Sequence, residues 1–134
     1  MLVGYLGDIP FIVSGSFIRT FDEFGRNSTG RWAKHDIIGE KPVLEFIGPD
    51  VEKISFKMTL RRDKGINPEK ELEKLRRLRD EGEVLPLLLN NRPVSDNFWI
   101  IESLDEAVSF WGPFGQMISA SVTIGLQEYT EAFI

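Results

Sequence analysis

Cysteine is absent from the 134 residues, and histidine occurs once, at His35. The first absence excludes disulfides, thiolate nucleophiles and Cys-ligated zinc, so packing and partners must supply the stability. The second leaves no two-histidine metal site and at most one Ser/His/Asp arrangement. Asp36 follows His35 directly, and neighbours in an extended segment point to opposite sides, so His35 reads as a surface or hydrogen-bonding residue. The acidic pairs Asp22–Glu23 and Asp80–Glu81 read as solvated, since acid–base work needs a raised pKa that adjacency does not provide. No enzyme activity is expected, and no catalytic, cofactor-binding or metal-ligating residue is assigned; no cofactor is expected.

Long apolar runs are also missing. Nothing approaches the roughly 20 residues that cross a bilayer as a helix, and Gly4, Gly7, Asp8 and Pro10 break the first apolar stretch, which no basic residue precedes. Neither membrane insertion nor a secretory signal is expected. A formal net charge of -5 disfavours phosphate-backbone binding. The basic clusters at Arg61–Lys64 and Lys74–Arg79 are mixed with or flanked by acids, so no specific nucleic-acid binding is expected. The segment Gly4-Tyr5-Leu6-Gly7 lacks the third glycine and the helix start of a phosphate cradle. With 42% hydrophobic and 28% charged residues, the composition is that of a globular chain, and the length suits one domain over residues 1–134.

Against these absences stand clear periodic signals. Ile54, Phe56, Met58 and Leu60 alternate with Ser55, Lys57 and Thr59, the period of a strand with one buried face. Val43–Ile47, bounded by Pro42 and Gly48-Pro49-Asp50, reads as the strand before it, and the two are expected to form an antiparallel hairpin in the sheet core. Asn67, Pro68, Glu69, Glu71 and Gly82 predict a helix over about 67–81, with a thin stripe of Leu72, Leu75 and Leu78 that suits packing against a sheet on one side. Val84–Leu89 contains Pro86 and reads as an edge or bulged strand, and Asn90–Pro93 as a turn. Phe98–Leu104 is apolar on both alternating sets, which predicts cover on both faces. Gly112–Gly115 is a further turn. Leu2–Val13 gives two short strands broken at Gly7-Asp8, and Phe17–Phe21 another.

Two features do not suit a lone subunit. From Ile118 to Leu126 the apolar residues alternate with Ser119, Ser121, Thr123, Gly125 and Gln127. A freely solvated strand face usually includes charge, so this one is read either as lying against another surface or lining a channel, or as an ordinary solvated face rich in Ser and Thr. From Asp22 to Lys41 no period is sustained, although Phe24, Trp32, Ile37 and Ile38 are present. A loop of about 20 residues is uncommon in a compact domain. It is read as folding back irregularly or as an arm reaching a neighbouring subunit.

Arg31-Trp32 before Ile38-Gly39, then Leu44-Glu45-Phe46-Ile47-Gly48, a strand at Ile54, a helix ending at Gly82, Pro86-Leu87-Leu88, Trp99-Ile100-Ile101 and Gly112-Pro113 before a long final strand form an ordered set. That order, from about Gly4 to Tyr129, resembles the GpU family of phage tail proteins, found in contractile tails and the bacteriocins derived from them. Asn90–Pro93 stands where the family pattern has a glycine-rich turn. The resemblance implies a mainly β (α+β), tail-tube-like fold: an antiparallel β-sandwich or partly closed barrel with one flanking helix. It implies a homo-hexameric ring joining the distal end of the inner tail tube to the baseplate hub, with tail tube, hub and tape-measure proteins as partners. The location implied is the tail of a virion or phage-like particle, assembled in the bacterial cytoplasm. Within that frame Phe24, Arg31, Trp32, Ile37, Ile38, Phe133 and Ile134 are the expected interface residues, and Ser119, Ser121, Thr123 and Gln127 the lumen or seam. The alternatives are a terminator ring at the head-proximal end, or a carbohydrate-binding β-sandwich using Trp32 and Trp111, with Trp99 in the core.

Overall fold

A computed structural model describes residues 2–7, 9–13, 18–62, 67–90 and 92–130. Leu2–Leu6 (β1) and Ile9–Val13 (β2) form a hairpin, followed by Ile18–Asn27 (β3), Gly30–His35 (β4), Val43–Pro49 (β5) and Lys53–Arg61 (β6). The helix Pro68–Asp80 (α1) precedes Leu87–Leu89 (β7), Arg92–Pro93 (β8), Phe98–Trp111 (β9) and Met117–Tyr129 (β10). Eight strands form one sheet in the order β8-β7-β1-β2-β3-β6-β10-β9, while β4 and β5 form a separate two-stranded sheet. Among the described residues the fold is mainly β with one helix, as the periodicities and the resemblance led us to expect.

The core grows from the two strands with the cleanest alternation. β6 and β10 pair antiparallel with Ile54 opposite Leu126, Phe56 opposite Ile124, Met58 opposite Val122 and Leu60 opposite Ala120. All eight are buried, so one face of this central pair is wholly apolar and each partner sits where cross-strand contact is closest. Leu72 and Leu75 of α1 cover that face, joined by Leu6, Ile9, Leu85, Leu87, Trp99 and Ile101 in one cluster. The sheet bends back on itself. Leu85 and Trp99 exchange backbone hydrogen bonds of 2.7 Å in both directions, linking the approach to β7 with β9, near the opposite edge.

The helix starts and stops as its sequence dictates. The Asn67 side chain accepts from the backbone N–H groups of Glu69 and Lys70 at 3.1 and 3.4 Å, satisfying two of the donors that a helix start leaves unpaired. Pro68 occupies the first turn, and Gly82 takes the left-handed backbone at φ 64°, the conformation that ends helices and favours glycine. Arg76 grips Glu106 of β9 through two bonds of 3.0 and 2.6 Å, and Glu69 accepts from the Met117 N–H at 2.8 Å. These tie both ends of α1 to the last hairpin.

Four expectations are corrected. β5 does not pair with β6: it pairs with β4, and β6 lies between β3 and β10. Val43–Ile47 is therefore not sheet core. The Asp22–Lys41 segment is not an irregular loop, since it contains the end of β3 and all of β4. β9 runs twice as far as its first half suggested and is covered on one face only, with Trp99 and Ile101 buried but Phe98, Glu102 and Ser103 exposed. Finally, the Asn90–Pro93 turn includes β8, a two-residue edge strand beside β7. Residue 17, which was expected to begin β3, lies outside the described residues, as does Asp8 at the β1–β2 break.

Candidate functional site

β3 and β6 pair down to Asn27 opposite Lys53, and beyond that point the same two chain directions continue as β4 and β5. The Asp50 N–H donates to the Thr29 carbonyl at 3.0 Å across the break. The result is an antiparallel arm, Gly30–Pro49, projecting from the end of the sheet. Its register puts Trp32 opposite Phe46 and Lys34 opposite Leu44 on one face, with Ala33 opposite Glu45 and His35 opposite Val43 on the other. Ile47 sits at the bulge between the Arg31 and Trp32 positions.

Among the described residues nothing covers either face. Trp32, Val43, Leu44, Phe46 and Ile47 are 52–60% exposed, and Ile38 at the turn is fully exposed. A two-stranded hairpin alone in water is marginal, and contiguous apolar surface of this kind marks an interaction site. What holds the arm together is local: the Trp32 and Phe46 rings lie 4.9 Å apart at 60°, His35 Nε2 and a Glu45 oxygen are 2.8 Å apart, and Arg31 Nε donates to the Pro49 carbonyl at 3.2 Å. At the turn Gly39 has φ 76°, a backbone conformation open to glycine and costly for branched residues.

The root of the arm is a polar network. Arg26 Nε donates to Glu52 at 2.7 Å, and the Ser28 hydroxyl donates to its other oxygen at 3.2 Å. The Glu52 N–H donates to Glu128, which also accepts from the Ser95 hydroxyl at 2.6 Å and the Asn97 amide at 3.0 Å. The Ser95 hydrogen bond is the largest cause that holds the Glu128 carboxyl below its ordinary pKa; burial opposes it, and Asn97, Glu52 and Arg26 add to it. A carboxylate with a depressed folded-state pKa contributes stability above its unfolded pKa and loses it as pH falls through the folded value. Glu128→Gln is therefore expected to cost about 1–2 kcal/mol at neutral pH. The gap between the two proteins should close below the usual carboxylate range, as urea unfolding at pH 7 and pH 3 would show.

The expected interface residues do not all fall together. Arg31, Trp32, Ile37 and Ile38 share the arm. Phe24 does not: it stacks on buried Phe56 with ring centroids 6.4 Å apart, at the rim of the protein's own core. Phe133 and Ile134 lie outside the described residues. The arm's apolar surface also includes Val43, Leu44, Phe46 and Ile47, which were read as core. The two adjacent apolar pairs, Val43-Leu44 and Phe46-Ile47, on either side of Glu45 are the available signal, because a strand uncovered on both faces needs no alternation.

Ser119, Ser121, Thr123 and Gln127 lie half-buried on the outer face of β10. The uncharged stripe is one strand wide, since β6 sets Arg61, Lys57 and Lys53 directly beside Ser119, Thr123 and Gln127. Trp111 sits at the tip of the β9–β10 hairpin, the end of the sheet away from the arm. Trp32 and Trp111 are thus separated by the length of β6, roughly 30 Å at strand rise, and cannot share one sugar platform. Among the described residues no acidic, histidine or cysteine group could hold a metal ion, and no helix is long and apolar enough to cross a membrane.

A mainly β subunit that carries an uncovered arm with this much exposed apolar surface fits the class of structural assembly subunits. Residues 7–131 match the family model described as Phage P2 GpU. The chain belongs to that family and is a structural protein of phage tails. No curated protein matches it.

Proposed function

We propose that the protein forms a hexameric ring in a contractile tail or phage-like particle and joins the distal end of the inner tube to the baseplate hub. The observation that carries this reading is the arm, with exposed apolar side chains on both faces. One face is enough to bind one neighbour; two faces suit insertion between neighbours, as a ring stacked on further tail components requires. The outer face of β10, with Ser119, Ser121, Thr123 and Gln127, is assigned to the lumen or a seam. Short polar side chains there would let a tape-measure protein or DNA pass, and the flanking Lys53, Lys57 and Arg61 belong to the rim of that surface. The role is non-enzymatic, and assembly takes place in the bacterial cytoplasm.

Trp32→Ala tests the arm. Unfolding free energy should change by no more than about 0.5 kcal/mol, the range of exposed positions outside the core. Ring formation, followed by sedimentation, and the yield of complete tails should fall at least tenfold, as expected on truncating an aromatic anchor worth about 2 kcal/mol. A stable mutant that completes tails at the normal yield would sink the assignment. Labelled copies imaged in intact tails should mark the baseplate end; labels at the head-proximal end would replace the connector by a terminator.

A further inference from the structure

The eight-stranded sheet ends on β9. Among the described residues nothing pairs with its outer edge beyond the Leu85 bridge at Trp99, so from Glu102 onward that edge offers unpaired N–H and C=O groups. The other end of the sheet is only the two-residue β8. The arm, being two-stranded, has open edges of its own.

The charges on these edges are opposite. β9 carries Glu102, Asp105 and Glu106, and β4 carries Arg31, Lys34 and His35. Most are already engaged: Glu102 with Lys53 at 3.5 Å, Glu106 with Arg76, His35 with Glu45 and Arg31 with the Pro49 carbonyl. Asp105 and Lys34 are exposed and have no ion-pair partner among the described residues.

We propose that β4 of one copy adds as a strand to the β9 edge of a second copy, in the register that sets Lys34 beside Asp105. The inference rests on the ring reading and names where the arm lands. Side chains two residues apart share a sheet face, so Trp32 travels with Lys34, and Ser103 and Ala107 flank Asp105. Both flanking residues are small and exposed. The indole therefore meets Ser103 or Ala107 whichever way the added strand runs, with space for it in either case. Phe110 and Trp111 at the end of β9 are exposed as well, so the strand that receives the arm carries apolar surface beyond Ala107. Because the two edges are different surfaces of the subunit, the contact is head-to-tail; repeated around an axis it closes a ring and leaves no long edge for further addition.

Charge exchange tests the register. Lys34→Asp and Asp105→Lys should each weaken self-association by tenfold or more at moderate salt, because each sets like charges side by side. The double variant Lys34→Asp/Asp105→Lys should recover most of the loss, while thermal melts of all three follow the parent. Single variants that associate normally, or a double variant no better than either, would overturn the proposal. Cysteine cross-linking gives a second readout, since the chain has no cysteine of its own. A mixture of Lys34→Cys and Asp105→Cys chains, mildly oxidised, should give a covalent mixed dimer that neither gives alone. Rings of normal size without that product would refute the strand addition and leave the ring standing. A parent protein that stays monomeric at every concentration, with or without tube protein, would remove both.

Discussion

Trp99→Ala is expected to lower the stability by about 3–5 kcal/mol, the cost of deleting a large core side chain and leaving part of its volume empty. Trp99 is completely buried and lies where the bent sheet meets itself, bonded through its own backbone N–H and carbonyl to Leu85. The cavity would therefore open beside the contact that joins the two ends of the sheet, where strands from both sides converge. Against a total stability of roughly 5–15 kcal/mol for a protein of this kind, that loss is enough to populate unfolded chains at moderate temperature. The indole N–H has no acceptor among the described residues, and a buried donor left unpaired costs about 1–3 kcal/mol. Trp99→Phe removes that donor and keeps most of the ring, so it should cost well under half as much as the alanine change. Urea unfolding followed by circular dichroism measures both. An alanine variant within 1 kcal/mol of the parent would mean that the core closes without this side chain.

Excising the arm should have the opposite profile: little effect on folding and complete loss of assembly. Thr29 and Asp50 already face each other through a backbone hydrogen bond, so residues 30–49 can be replaced by a two-residue Asn-Gly turn, which suits the twist of an antiparallel pair. The core cluster contains no residue of the excised segment. The β3–β6 pairing up to Asn27 and Lys53 remains, and the Arg26–Glu52 contact below it is untouched. Thermal unfolding should stay within a few degrees of the parent, and solubility should rise as the exposed apolar surface disappears. Self-association and tail completion should drop below detection. A truncated chain that no longer folds would show that the arm is part of the subunit's own stability; one that still assembles would move the interface elsewhere.

The two outcomes differ because the sequence encodes the two regions in different ways. Where one face of a strand is buried by the chain itself, the period of two is written into the residues: β6 and β10 were legible from Ile54–Leu60 and Ile118–Leu126 alone. The helix was legible from Asn67, Pro68, Leu72, Leu75 and Gly82, whose roles are local. The order of these elements also carried the family, which the match over residues 7–131 bears out.

Pairing was not legible in the same way. Val43–Ile47 followed by a Gly-Pro turn and another strand satisfies every local rule for a hairpin, yet β5 turns back to β4, and β6 finds β3 and β10 instead. Local chemistry selects strand and turn; which strands meet depends on burial summed over residues far apart in the chain. The candidate interface was half visible for the same reason. Trp32, Ile37 and Ile38 stood out as apolar residues without a period, while Val43, Leu44, Phe46 and Ile47 looked like core because a strand meant for a partner and a strand meant for the interior have the same composition.

By itself, then, the sequence determined the helix, the two amphipathic strands, the absence of cysteine, and the family, since each depends on residue identity or on spacing along the chain. Only the tertiary structure decided that Gly30–Pro49 is an arm uncovered on both faces, that β9 ends the sheet with an open acidic edge, and that Trp99 lies where the sheet meets itself. Exposure and strand order are properties of what the rest of the chain leaves unburied, and no local pattern of residues can state them.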